Sequence, residues 1–138
     1  MSFKDFQKFL DSTDSKLDIK RDIYPKMKEI IFHSTTAVTS KINRNDRQFC
    51  YLVLGYDFMI DVSHNVVLIE INKNTGLAES SPIINMIMPR MMDDSLRLTI
   101  DDLFEPAYIN NSATNYKSPY PVTDYSDYEN MWEFMHKL

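Results

Sequence analysis

The chain has 138 residues, 43% of them apolar: enough for one small domain with a real core, and too apolar for a disordered chain. A net charge of −5, with no basic cluster interleaved with aromatic residues, argues against nucleic acid as a partner. No stretch has the length of a membrane-spanning helix and the N-terminus lacks the uninterrupted apolar run of a signal peptide, so no membrane association is expected and the cytoplasm is the default location.

From the N-terminus, Ser2 is placed to cap a helix in which Phe3, Phe6 and Leu10 recur at helical spacing. After a polar break at residues 11–18, the apolar residues Ile19, Ile23, Met27, Ile30, Ile31, Val38 and Ile42 lay one stripe along a long helix. Pro25 interrupts that stripe, which predicts a kink or a fresh helix start near Tyr24. His33 lies off the stripe and reads as a solvated side chain.

Gln48 to Asn72 reads as two β-strands rich in β-branched and aromatic residues, broken by Asp61, Ser63, His64 and Asn65. Cys50, the single cysteine, falls inside the first strand as a small buried hydrophobe, and it allows no intrachain disulfide. Reversal through residues 62–65 predicts a hairpin pairing Asp61 with Val66, Met59 with Leu68, Asp57 with Glu70 and Gly55 with Asn72. Leu52, Leu54, Tyr56, Phe58 and Ile60 then share a core face with Val67, Ile69 and Ile71.

The opposite face is also largely apolar and is expected to be covered, yet it sets Asp57 directly against Glu70. Like charges in that position repel, and a divalent cation would compensate both. Asn72, one pleat from Glu70, adds a neutral oxygen of the kind magnesium accepts, and Gly55 leaves room for a ligand beside the backbone. The competing reading makes the two carboxylates strand-end charges satisfied by water or by Lys and Arg from elsewhere, or has a register that differs by a residue or two.

Downstream, residues 73–82 form a loop in which Gly76 is expected to take a backbone conformation special to glycine. Ser81 and Pro82 start a helix, and Pro89 divides Ile83–Met88 from Arg90–Ile100, whose Met91, Met92, Leu96 and Ile100 supply the buried side. Residues 106–124, with several Asn, Ser, Thr and Pro, read as a loop or extended tail. Ser126 with Glu129 forms a capping-box pattern before a short terminal helix carrying Trp132. No Walker-type loop, Ser-His-Asp order or His/Cys metal spacing is present.

LGYDFMID followed by VVLIEIN resembles the C-terminal part of the ATP-grasp domain of the tubulin tyrosine ligase-like family, whose enzymes attach amino acids to tubulin and other proteins. An SF-x-x-F segment, a KMKEII-like helix and the segment ESSPIINMIMPRMMDDSLRLTIDDLF extend the likeness to both sides. The resemblance implies an α+β fold, the C-terminal half of an ATP-grasp domain over residues 1–105, with its antiparallel hairpin packed against helices; residues 106–138 are read as a tail. It implies Mg2+ held by Asp57, Glu70 and Asn72 against the phosphates of ATP. Asn74 lies near phosphate or substrate, or serves a turn, and here it precedes Thr75 where many relatives have proline. The implied chemistry phosphorylates a carboxylate and forms an amide with an incoming amine, in tubulin glycylation, glutamylation or tyrosination, at the cytoskeleton or cilium. The upstream strands, the adenine pocket and a KFDIR-like motif have no counterpart here. This implies a longer enzyme, or a second chain completing the ATP-grasp domain; the alternative is a non-catalytic binding or structural protein of the same descent.

Overall fold

A computed structural model describes residues 2–13, 15–45, 47–73, 75–76, 81–101, 103–104, 117–123 and 125–135. Two compact units divide the chain, one of residues 1–76 with 135–138 and one of residues 77–134. The described elements are α+β: three α-helices, a π-helical turn and a two-stranded antiparallel sheet.

In the first unit, α1 (Phe3–Ser12) starts as its sequence dictates. The Ser2 hydroxyl accepts from the Asp5 amide at 3.1 Å while the Asp5 carboxylate accepts from the Ser2 amide at 3.1 Å, so two orphan donors of the first turn are satisfied reciprocally. A π-helical turn (Ile19–Ile23) leads into α2 (Tyr24–Ile42), with Pro25 in its first turn, where the missing N–H costs nothing. The fresh start near Tyr24 is therefore the outcome of the two that the sequence allowed.

The core is small. Leu17, Ile19 and Ile23 are buried, and Phe6, Leu10, Tyr24, Met27, Ile60 and Val66 pack against them. Only the N-terminal part of the apolar stripe takes part, since Val38 and Ile42 are exposed. The π-turn is locked by charge: Asp22 receives Arg21 through Nε at 2.7 Å and Nη2 at 2.6 Å, and the Asp18 amide at 2.9 Å. The Arg21 guanidinium first, and the Asp18 amide second, hold the Asp22 carboxyl down at about 2. A depressed carboxyl contributes stability above its unfolded value of 3.8 that is lost as pH falls through the folded value. Acid unfolding in urea should therefore show this unit weakening between about pH 4 and pH 2, with Asp22→Asn removing part of that dependence.

The hairpin consists of β1 (Gly55–Ile60) and β2 (Val66–Asn72). It is shorter than the sequence pattern because β2 ends at Asn72, leaving residues 51–54 opposite no strand; Cys50 accordingly lies outside the sheet and is exposed. The turn is tighter than expected. The Asp61 amide donates to the Asn65 carbonyl and the His64 amide to the Asp61 carbonyl, both at 3.0 Å, and His64 takes the left-handed conformation with φ 62°. The Asp61 carboxylate accepts from the Ser63 and Asn65 amides at 2.8 Å, a three-residue connection stabilised by its own first side chain. Left-handed backbone falls at Phe49 and His64, and the expectation for Gly76 is not met.

This turn pairs Ile60 with Val66, Met59 with Val67 and Phe58 with Leu68, one residue out of the predicted register. Val66 and Leu68, not Val67 and Ile69, consequently share the inner face with Phe58 and Ile60, because a one-residue slip turns every side chain to the other side. Tyr56 lies over α2, its hydroxyl 3.2 Å from that of Ser34.

In the second unit, Ser81 caps α3 (Pro82–Thr99) by accepting from the Ile84 amide at 3.3 Å. The helix runs through Pro89, contrary to the division predicted there. Its buried residues are Arg90, Asp94 and Ser95, whereas Leu96 and Ile100 are exposed. Arg90 and Asp94 are both 0% exposed and bond through Nε and Oδ2 at 2.8 Å.

The remaining Arg90 donors collect backbone carbonyls: Tyr120 at 3.3 Å through Nη1, then Ser126 at 2.9 Å and Glu129 through Nη2. Asp94 Oδ2 accepts the Met131 amide at 2.8 Å, and the Trp132 indole donates to the Met91 carbonyl at 2.9 Å. These contacts explain why the terminal helix is absent from residues 125–135. Carbonyls and an amide that an α-helix would use internally are instead bound to α3, and Ser126 makes only a local turn, its hydroxyl accepting the Tyr128 amide at 3.3 Å and its carbonyl the Glu129 amide at 3.2 Å. No buried side-chain polar atom lacks a partner among the described residues.

Candidate metal centre on the hairpin

The tight turn would by itself place Ile69 opposite Asp57. It does not, because the register shifts between Asp57 and Phe58: Phe58 pairs with Leu68, while Asp57 pairs with Glu70. Ile69 is the extra residue of a β-bulge on β2. Bulges re-aim side chains, and this one turns Glu70 and Asn72 onto the face of Asp57. The predicted pairs Asp57–Glu70 and Gly55–Asn72 thus form in a hairpin whose turn end is registered differently.

The three side chains meet through one amide. Asn72 Nδ2 donates to Asp57 Oδ2 and to Glu70 Oε1, each at 3.1 Å. Among the described residues neither carboxylate has a Lys, Arg or His at ion-pair distance. Asp57 and Glu70 are exposed and Asn72 is half-buried. Among the described residues nothing gives the expected cover of this face: Met59 is 59% and Ile69 55% exposed.

A single neutral amide is a modest counterweight to two opposed carboxylates, each of which keeps a second oxygen unused by Asn72. Two carboxylates and an amide, which carries an acceptor oxygen as well as its donor nitrogen, form a donor set that suits a hard oxygen-seeking dication. A cluster of three or more His, Cys, Asp or Glu groups suited to a metal does not occur among the described residues. Asn74 lies outside the described residues.

Gly55 has a use other than the one expected. A Cβ built on it would stand 2.7 Å from the Thr75 methyl and 3.7 Å from Asn72 Cβ, so the space is filled by Thr75 rather than left for a ligand. Gly55→Ala should destabilise this unit by about 1–3 kcal/mol through overpacking. Thr75→Ser, which removes the opposing methyl, should restore most of that loss in urea unfolding. Equal destabilisation with and without Thr75→Ser would show that the close approach is not the cause.

The model of the "Tubulin-tyrosine ligase family" matches residues 1–107, which include the whole hairpin and α3. The chain belongs to the tubulin-tyrosine ligase family. Its similar relatives include "Tubulin glycylase 3B" of Tetrahymena thermophila, 28% identical over 103 residues, which cover 73% of this chain and 8% of the relative. "Tubulin glycylase 3F" of the same organism is 27% identical over 82 residues, 59% of this chain and 9% of the relative. "Tubulin glycylase 3B" of Drosophila melanogaster is 34% identical over 77 residues, 49% of this chain and 10% of the relative. The chain thus spans about a tenth of the length of these family members. No solved structure matches it. No described helix is long and apolar enough to cross a membrane. The segment held by Arg90 lies beyond the residues matched to the family.

Proposed function

We propose that this chain is the magnesium- and ATP-binding part of an ATP-grasp amino-acid ligase that modifies tubulin at the cytoskeleton. The observation that carries the reading is the bulge at Ile69, which brings Asp57, Glu70 and Asn72 together on one sheet face with no cationic side chain at ion-pair distance among the described residues. Asp57, Glu70 and Asn72 would hold the metal, Asn72 through its amide oxygen while its nitrogen keeps both carboxylates aimed at a common point. Magnesium bound there would screen the phosphate charge that builds up during phosphoryl transfer. Neither carboxylate acts as a nucleophile.

The similarity to tubulin glycylases favours glycine as the amino acid and tubulin as the acceptor. The proposal assigns the rest of the nucleotide site to residues outside these 138, in a longer polypeptide or a second chain. Equilibrium dialysis of the chain against ATP, with magnesium and with chelator, tests the central claim. Retention greater with magnesium than with chelator, an excess lost in Asn72→Ala, supports it. Retention equal in magnesium and in chelator overturns the assignment of a metal-bound nucleotide site to this hairpin.

A further inference from the structure

At the turn end of the hairpin the first unit carries a hollow of about 510 Å³. Three cations line it: Lys16 from the segment before the π-turn, Arg21 within the turn and Lys26 in the first turn of α2. Asp22 is the one carboxylate among them, Leu17 and Pro25 give apolar wall, and His64 lies at the rim from the hairpin turn. In a chain of net charge −5 this lining carries two net positive charges, so it departs in sign from the molecule around it. Four residues of strand separate Asp61 from Asp57, about 13 Å at the usual rise, which makes the hollow distinct from the Asp57–Glu70–Asn72 set.

The state of each cation says what the hollow can hold. The Arg21 fork is committed, with Nε and Nη2 on Asp22 and Nη2 also on the Lys16 carbonyl at 3.1 Å. A planar carboxylate therefore finds no free bidentate partner. What remains are ammonium groups. Lys16 makes no hydrogen bond or ion pair through its ammonium among the described residues. Lys26 spends one of its three donors on the His64 carbonyl at 3.0 Å and has no carboxylate at ion-pair distance among the described residues. Compact ammonium charges suit the dense charge of a phosphoryl group. The volume lies in the range of small-molecule sites, roughly 300–1,000 Å³, and exceeds what one phosphate ion fills.

We propose that this hollow binds an oligophosphate group, a di- or triphosphate, without a metal ion, through Lys16 and Lys26 with Arg21 as a fixed third charge. The group can be free or carried by a nucleoside whose apolar body lies against Leu17 and Pro25. The hollow stands independently of the metal centre and of the function proposed for it.

Calorimetric titration of the whole chain with sodium tripolyphosphate, and separately with ADP, in chelator and at physiological ionic strength tests the proposal. One saturable site is expected. Lys16→Ala/Lys26→Ala should weaken it about tenfold or more, while Asp57→Asn/Glu70→Gln leaves it unchanged. The control Lys41→Ala/Arg44→Ala removes the same charge from the far end of α2 and beyond, and should have no effect. Tighter binding of ADP identifies the nucleotide as the source, and equal binding the free oligophosphate; either supports the site. Non-saturable binding, equal weakening in the control variant, or displacement by a Glu-rich peptide more readily than by ADP overturns it.

Discussion

Arg90→Ala should cost the second unit about 3–5 kcal/mol, the range for removing one partner of a buried ion pair. The loss exceeds an ordinary large-to-small change because the fully buried Asp94 keeps, as its cation, only the longer Arg97 contact at 3.4 Å and three backbone carbonyls lose the Arg90 donor. Arg90→Lys should recover little. An ammonium on a flexible stem cannot reproduce a planar fork that binds Asp94, Tyr120, Ser126 and Glu129 at once. The double change Arg90→Met/Asp94→Leu separates the ion pair from the carbonyl capture. Where only the pair matters, hydrophobic replacement is often neutral; here it should remain destabilising, because the Tyr120, Ser126 and Glu129 carbonyls and the Met131 amide lose the partners that α3 supplied. The single tryptophan is the natural probe, since the Trp132 indole is tied to Met91 by the same segment. Urea unfolding followed by its fluorescence should show the midpoint falling in all three variants. An unchanged midpoint in Arg90→Lys would remove the fork from the account.

Asp57→Asn/Glu70→Gln should abolish stabilisation of the first unit by magnesium while slightly strengthening the metal-free chain. Both replacements keep an oxygen that can accept from Asn72 Nδ2, so the hairpin loses its opposed charges without losing its hydrogen bonds. Relief of that repulsion amounts to roughly 0.2–1 kcal/mol. A metal that binds only the folded chain contributes about 2.7 kcal/mol at one hundred times its dissociation constant. Thermal unfolding with magnesium and with chelator should therefore show a large difference for the unsubstituted chain and none for the double variant. Magnesium stabilisation that survives in the variant would reject this centre.

Where signals were local, the sequence was readable. Ser2 and Ser81 cap because a hydroxyl before an apolar-periodic run has an amide to accept from two or three residues on, whatever the rest of the chain does. Pro25 falls in a first turn because nothing there needs its N–H. The pairing of Asp57 with Glu70 was also legible, but its cause was not. A longer turn with a regular ladder and a shorter turn with a bulge lead to the same outer pairs, and they differ in which face of β2 turns inward. The turn chosen through Asp61 and His64 excludes Val67 and Ile69 from the core.

Arg90 was missed because a buried cation looks, in sequence, like any helical arginine; the spacing to Asp94, four residues on, was the one signal available. The sequence by itself determined the helix starts at Ser2 and Ser81, the hairpin and the three polar residues that face one another across it, because each depends on neighbours in the chain or on strand alternation. Only the tertiary structure decided that α3 runs through Pro89, that residues 125–135 form no helix and that Ile69 bulges. Each of those outcomes depends on partners brought from distant positions: carbonyls of residues 120–129 delivered to Arg90, and a turn and a ladder that must be reconciled within one hairpin.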